Sequence, residues 1–182
     1  MNKLENTLFW RAMPRILRFG LILTSIMVTV ITFGSVIMRE LNFNFLGYEE
    51  ILIIFAFWLY MIGAAYGSYE KSHITADIIV IMMPESFAKS LINILRNALT
   101  LALGIIFLLW ALQLVGWTVE MQTKTPVWRI PVTVAQSSIL FGLTVASFYH
   151  LVYLYDEVKD FVKKYITKTA AIDNVSSGGE GV

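Results

Sequence analysis

Three side chains able to ligate a metal fall close together in the chain: Glu70, His73 and Asp77, at spacings of three and four. On a helix such spacings share one face, so the trio would present two carboxylates and an imidazole side by side. Glu70-x-x-His73 is half of the paired Glu-x-x-His motif that builds a di-iron centre in a helical bundle. That architecture needs a second pair on another helix, and the sequence has none. No metal site is therefore expected. His150, the only other histidine, opens a different chemistry, because with His73 it would supply two axial haem ligands and make the chain the membrane anchor of a redox enzyme. The plainer alternative for each is a snorkelling or hydrogen-bonded structural histidine. The chain has no cysteine, which removes thiolate nucleophiles, disulfides and cysteine-ligated clusters. No Gly-x-x-x-x-Gly-Lys-Ser/Thr run is present to drive a nucleotide-powered pump. No catalytic residue is assigned, and neither a cofactor nor an enzymatic activity is expected.

The elements that would hold these residues follow from composition. Of 182 residues 57% are hydrophobic and only 15% charged, whereas a soluble domain carries about a quarter charged residues. The mean hydropathy is +0.68. Such a chain has too little polar surface to cover itself in water, so it is a membrane protein. A formal charge of +1 gives no basic excess for counterion release, and nucleic acid is excluded as a partner. Four stretches lack Asp, Glu, Lys and Arg altogether: 19–38, 51–69, 97–119 and 130–155. About 20 residues of helix span a hydrocarbon core of about 30 Å, so each stretch is long enough to cross. The expected fold is an all-α integral membrane protein with four transmembrane helices in two hairpins. The first apolar run is too long for a signal peptide and lacks a cleavage pattern, so it reads as a retained helix.

Orientation follows from the basic residues. Eleven of the 14 Lys and Arg lie in the alternate segments 1–18, 70–96 and 156–182, and three lie in 39–50 and 120–129. The positive-inside rule then places both termini in the cytoplasm. Aromatic residues agree, with Phe43, Phe45, Tyr48, Trp117 and Trp128 near the outer surface and Trp10, Tyr66, Tyr69, Tyr149 and Tyr153 near the inner one. Residues 1–18 form a cytoplasmic segment, 19–155 the membrane domain, and 156–182 a helical extension with a tail of disordered composition. Between the second and third spans, Pro84 and Glu85 mark a helix start. Phe87, Leu91, Ile94 and Leu95 then share one face opposite Lys89, Asn93, Arg96 and Asn97. Residues 85–96 thus read as an amphipathic helix lying in the inner interface, with a cytosol-facing cap on the bundle as the plainer alternative.

The spans lack what a carrier needs. Ion-coupled transport normally shows an ionisable side chain or a broken helix near mid-membrane, and none is present. The first span offers only Ser25, Thr29, Thr32 and Ser35, a stripe that suits helix packing better than an ion path. In the second span, Gly63-Ala-Ala-Tyr-Gly67 fits the small-x-x-x-small pattern, which lets another helix approach closely, whether internal or foreign. The remaining ionisable groups sit at helix ends. Arg39 closes the first span while Glu49 and Glu50 open the second, each where the helix dipole favours it.

The order of these residues resembles a known family. A basic tail leads to a helix ending in Arg39; Tyr48-Glu49-Glu50 opens a helix carrying Trp58 and Gly63-Ala64-Ala65; His73-Ile-Thr-Ala-Asp77 and Pro84 follow, with Thr125, Pro131 and His150 in the second hairpin. This is similar to the small membrane subunit (DctQ type) of tripartite ATP-independent periplasmic, or TRAP, transporters, over about Arg18 to Tyr155. The chain departs from the family where a second proline often begins the last helix and Ser137 and Ser138 stand instead. The resemblance implies a three-part importer in a bacterial inner membrane. A periplasmic solute-binding protein captures mostly organic acids, a large membrane subunit carries them in symport with sodium, and the small subunit braces the large one in the lipid bilayer and helps dock the binding protein. On that basis Arg39, Glu49, Glu50, Lys124 and Arg129 are candidates for the docking surface. Trp58, Gly63 and Gly67 are candidates for contact with the large subunit, and His73 and Asp77 for fixing the inner turn.

Overall fold

The computed structural model describes residues 8–43, 46–70 and 87–166, and every structural statement below concerns these. They form four α-helices, α1 (Leu8–Glu40), α2 (Tyr48–Glu70), α3 (Phe87–Glu120) and α4 (Thr133–Phe161), the last continued by a π-helical turn over Val162–Ile166. All four are long and apolar enough to cross a membrane. The all-α, four-span expectation is met.

Helix limits differ from the charge-free stretches in an instructive way. α1 has 33 residues, about 50 Å at 1.5 Å each, and starts well before residue 19, running through Pro14. Arg15 and Arg18 therefore ride on the helix itself. α3 has 34 residues and joins the expected amphipathic stretch to the third span without a break. No glycine or proline occurs between Phe87 and Leu103 to interrupt it. The start expected at Pro84 and Glu85 lies outside the described residues, as do His73 and Asp77.

The chain falls into two compact units, 1–72 with 104–147 and 73–103 with 148–182. In the first, α1 and α2 form a hairpin. Gly20 backs onto Ile62, Leu21 lies against Gly63, and the Arg18 guanidinium donates to the Tyr66 hydroxyl at 2.9 Å while sitting over its ring. On another side α2 meets the first half of α4. A Cβ added at Gly142 would lie 2.8 Å from the Met61 carbonyl oxygen, so the two backbones nearly touch. Ala135, Ser138 and Val145 of α4 are also buried, Ser138 completely. The second half of α3 reaches α4 where Gly104 faces the Ser147 hydroxyl.

In the second unit, Tyr149 of α4 is fully buried and stacks on Tyr153 with ring centroids 6.3 Å apart. His150 and Asn97 are buried there as well. Ser90, Asn93, Glu157, Asp160, Phe161 and Lys164 line a cleft of about 200 Å³.

Burial is sparse along α1 and α3. Phe19, Ile22, Ile26, Val30 and Phe33 of α1 and Leu99, Leu103, Phe107, Trp110 and Trp117 of α3 are all exposed. In water such faces would be untenable. In a bilayer they meet lipid or another membrane helix. Three hydroxyls of the first-span stripe need neither: Thr29, Thr32 and Ser35 donate to the carbonyls of Ser25, Val28 and Thr32 on their own helix. They carry no unpaired donor toward an ion path.

Candidate functional site at the hairpin loops

The loop ends of the two hairpins meet within the first unit. α1 stops at a left-handed residue, Asn42 (φ 57°), with the Phe43 amide bonded to the Met38 carbonyl and the Asn42 amide to Arg39. This six-to-one, five-to-two pairing is a Schellman ending. α3 ends the same way, with Gln122 (φ 48°) in the left-handed position and the Thr123 and Gln122 amides bonded to Thr118 and Val119. Two helices are thereby capped without a glycine.

After α3 the chain folds back on itself. Lys124 and Pro131 form an antiparallel bridge, and the Thr125 amide bonds to the Ile130 carbonyl at 2.9 Å. The Thr125 hydroxyl accepts the Ile130 amide. The tip, 126–129, carries Arg129 in a left-handed conformation (φ 52°).

Glu50 fastens this tip to α2. Its Oε1 accepts the Val127 amide at 2.7 Å and its Oε2 the Trp128 amide at 2.9 Å. The carboxylate thus satisfies two adjacent backbone donors that the turn leaves pointing outward. Gly47 makes the approach possible. Its φ of 85° is one that a side chain rarely adopts, and a Cβ there would sit 2.6 Å from the Trp128 indole nitrogen.

The sequence-predicted residues separate on this frame. Arg39, Glu49, Lys124 and Arg129 are exposed, while Glu50 is half-buried and turned to the loop. Trp58 finds its first partners inside the chain, donating from Nε1 to the Val134 carbonyl at 3.2 Å and packing against the Phe141 ring. Gly63 faces Leu21 of α1 at ordinary contact distance, 3.7 Å for an added Cβ. Gly67 is half-buried. Sequence reasoning passed over Gly142, the site of closest helix approach. Its signal was present as Ser138-x-x-x-Gly142-x-x-x-Ala146, a longer small-residue repeat than the one in α2.

Among the described residues, no group of three His, Asp or Glu could hold a metal. The geometry is that of a stapled double loop at the ends of apolar helices, with exposed charges of both signs.

Comparison with known proteins gives two findings. Residues 28–160 match the family model for the DctQ component of tripartite ATP-independent periplasmic transporters. Over 138 residues the chain is 28% identical to a Haemophilus influenzae protein whose name makes it a TRAP transporter small permease; the match covers 75% of this chain and 79% of that one.

Proposed function

Because the chain belongs to the DctQ family of TRAP transporters and is thus a multi-pass transporter subunit and not an enzyme, we propose that it is the stationary brace of a sodium-coupled importer of organic acids. It sits beside a large membrane subunit in the bacterial inner membrane, with both termini cytoplasmic. The observation that carries this reading is the pairing of two features. The four apolar stretches hold no Asp, Glu, Lys or Arg, and the Thr29, Thr32 and Ser35 hydroxyls of α1 are closed onto their own helix. Such helices can support a moving neighbour but offer no site at which a solute or an ion would be passed.

Lateral contact with the large subunit is supported by one edge of α2. Ile53, Phe57, Tyr60 and Ala64 recur at helical spacing and are all exposed, and Gly67 continues that line. Trp58 and Gly63 act behind this edge, holding α2 to α4 and α1. At the loop ends the exposed Arg39, Glu49, Lys124 and Arg129 form the docking surface for the binding protein, and Glu50 holds the loop from which Arg129 projects. His73 and Asp77 fix the turn that follows α2.

The test is uptake driven by an inward sodium gradient, in vesicles holding the large subunit with or without this chain. The loaded binding protein is supplied outside. Uptake should require the chain, and equal uptake in its absence would overturn the bracing role. The redox-anchor alternative has no observation in its favour once the family is known.

A further inference from the structure

Between the last turns of α1 and the first turns of α2 lies a groove of about 290 Å³, used by neither the helix seams nor the loop staple. It is lined by Thr32, Ser35, Val36, Arg39, Phe43, Tyr48 and Leu52. These residues are graded by depth. Arg39, Phe43 and Tyr48 stand at the level of the helix ends, and Thr32 lies seven residues, or about 10 Å, further along α1 than Arg39.

The chemistry changes along that depth. Arg39 is the only charged side chain among the described lining residues, it is exposed, and none of the described residues pairs with its guanidinium. Glu50, a carboxylate close by in the chain, is taken up by the Val127 and Trp128 amides. Deeper down, the Thr32 and Ser35 hydroxyls are closed onto their own helix. Val36 and Leu52 add apolar side chains at that depth.

A cation at the helix end above an apolar trough reproduces the order of groups in a glycerophospholipid, with phosphate at headgroup level and acyl chain beneath. We propose that the α1–α2 groove binds one phospholipid molecule, its phosphate paired with Arg39 and an acyl chain laid along Val36 and Leu52. A free anion would use only the upper half of this site. Arginine suits the upper half because its planar fork matches phosphate oxygens. The inference concerns lipid alone; because Arg39 is also among the exposed loop-end charges of the docking surface, its readout is lipid labelling and not uptake.

The test uses the full chain, purified with its membrane partner and placed in nanodiscs containing a phosphatidylglycerol with a photoactivatable acyl chain. Labelling should concentrate on 32–36 and on Leu52. Arg39→Gln should lower it roughly tenfold, the scale of one lost charge-assisted hydrogen bond, while labelling of the exposed α3 face around Phe107 stays unchanged. Val36→Trp, which fills the trough and keeps the charge, should abolish it too, and Arg39→Lys should retain part. Labelling that is even over α1 and α3, or indifferent to both Arg39→Gln and Val36→Trp, would overturn the site. So would full displacement by inorganic phosphate, which would make the ligand a free anion. Capture of the large subunit by a cross-linker at Val36, in place of lipid, would overturn it as well.

Discussion

The Glu50 carboxylate and the Trp128 amide, 78 residues apart in the chain, are joined by a 2.9 Å hydrogen bond, with the neighbouring Val127 amide on the second oxygen at 2.7 Å. One side chain thus sets the position of the second loop relative to the first hairpin. Removing it leaves two adjacent amides without a protein partner. Glu50→Ala should make the 121–132 loop accessible to protease and lower the melting temperature of the detergent-solubilised protein by several degrees. Glu50→Gln, which keeps one good acceptor, should fall between. Glu49→Ala, one residue away and exposed, should leave both readouts unchanged. Equal effects at the two positions would remove the staple.

Gly47 faces the same tryptophan from below. An alanine there meets two separate costs: the left-handed backbone, roughly 1–2 kcal/mol for a residue with a Cβ, and close contacts, 2.6 Å with the Trp128 ring and 2.8 Å with Val127 Cγ1. Only the second can be relieved by shrinking the neighbour. Gly47→Ala should therefore destabilise the protein, and adding Trp128→Ala should recover part of the loss but not all of it. Thermal unfolding of the two single variants and the double variant separates the terms.

The glycines of the spans should differ sharply from one another. At Gly142 an added methyl would press on the Met61 backbone at 2.8 Å, and backbone in a packed helix pair cannot step aside. Gly142→Ala should cost about 1–3 kcal/mol, the usual range for overpacking. At Gly116 the space is open, so Gly116→Ala should be neutral or stabilise by up to about 1 kcal/mol through helix propensity. Gly63→Ala, with 3.7 Å to Leu21, should be tolerated by the fold. If it nevertheless impairs co-purification with the large subunit, Gly63 contacts that partner directly.

These contrasts show what the sequence made legible. The spans were readable because absence of charge over about 20 residues has one physical outcome in a bilayer. Their extensions were less so: Arg11, Arg15 and Arg18 look like an aqueous tail, yet a helix tolerates arginine wherever its head can reach water. The capped ends of α1 and α3 were hidden because Asn42 and Gln122 hold the left-handed positions that glycine would have announced. Glu49 and Glu50 are indistinguishable as letters, both favourable at a helix start. Only the fold decides that Glu50 points to the loop and Glu49 to solvent. The small-residue pattern stands out in α2 at Gly63, whereas an added Cβ meets backbone most closely at Gly142 of α4, since such patterns mark permission for close approach and not its location.

With no native cysteine, topology can be tested by single substitutions. Thr123→Cys lies at the start of the second loop and Ser90→Cys near the start of α3. The excess of Lys and Arg in 1–18, 70–96 and 156–182 predicts that an impermeant thiol reagent applied outside whole cells will label the first and not the second. The opposite pattern would place the stapled loops in the cytoplasm. The docking surface would then be lost along with the orientation.

Once the orientation is established, charge at the loop ends can be tested for docking. Arg39, Glu49, Lys124 and Arg129 are exposed there, so a partner meeting them would be steered by rim charges whose effect is screened by salt. Reversing Arg129 (Arg129→Glu) or Glu49 (Glu49→Lys) should slow uptake that depends on the binding protein, more at low ionic strength than at high, and raise the binding-protein concentration needed for half-maximal rate. Neither change touches the Glu50 staple or a helix seam, so the melting temperature should stay within a degree or two, as surface substitutions usually do. A loss of uptake equal at all salt concentrations would point to damage in the loop. No loss at all would take these residues out of the docking surface.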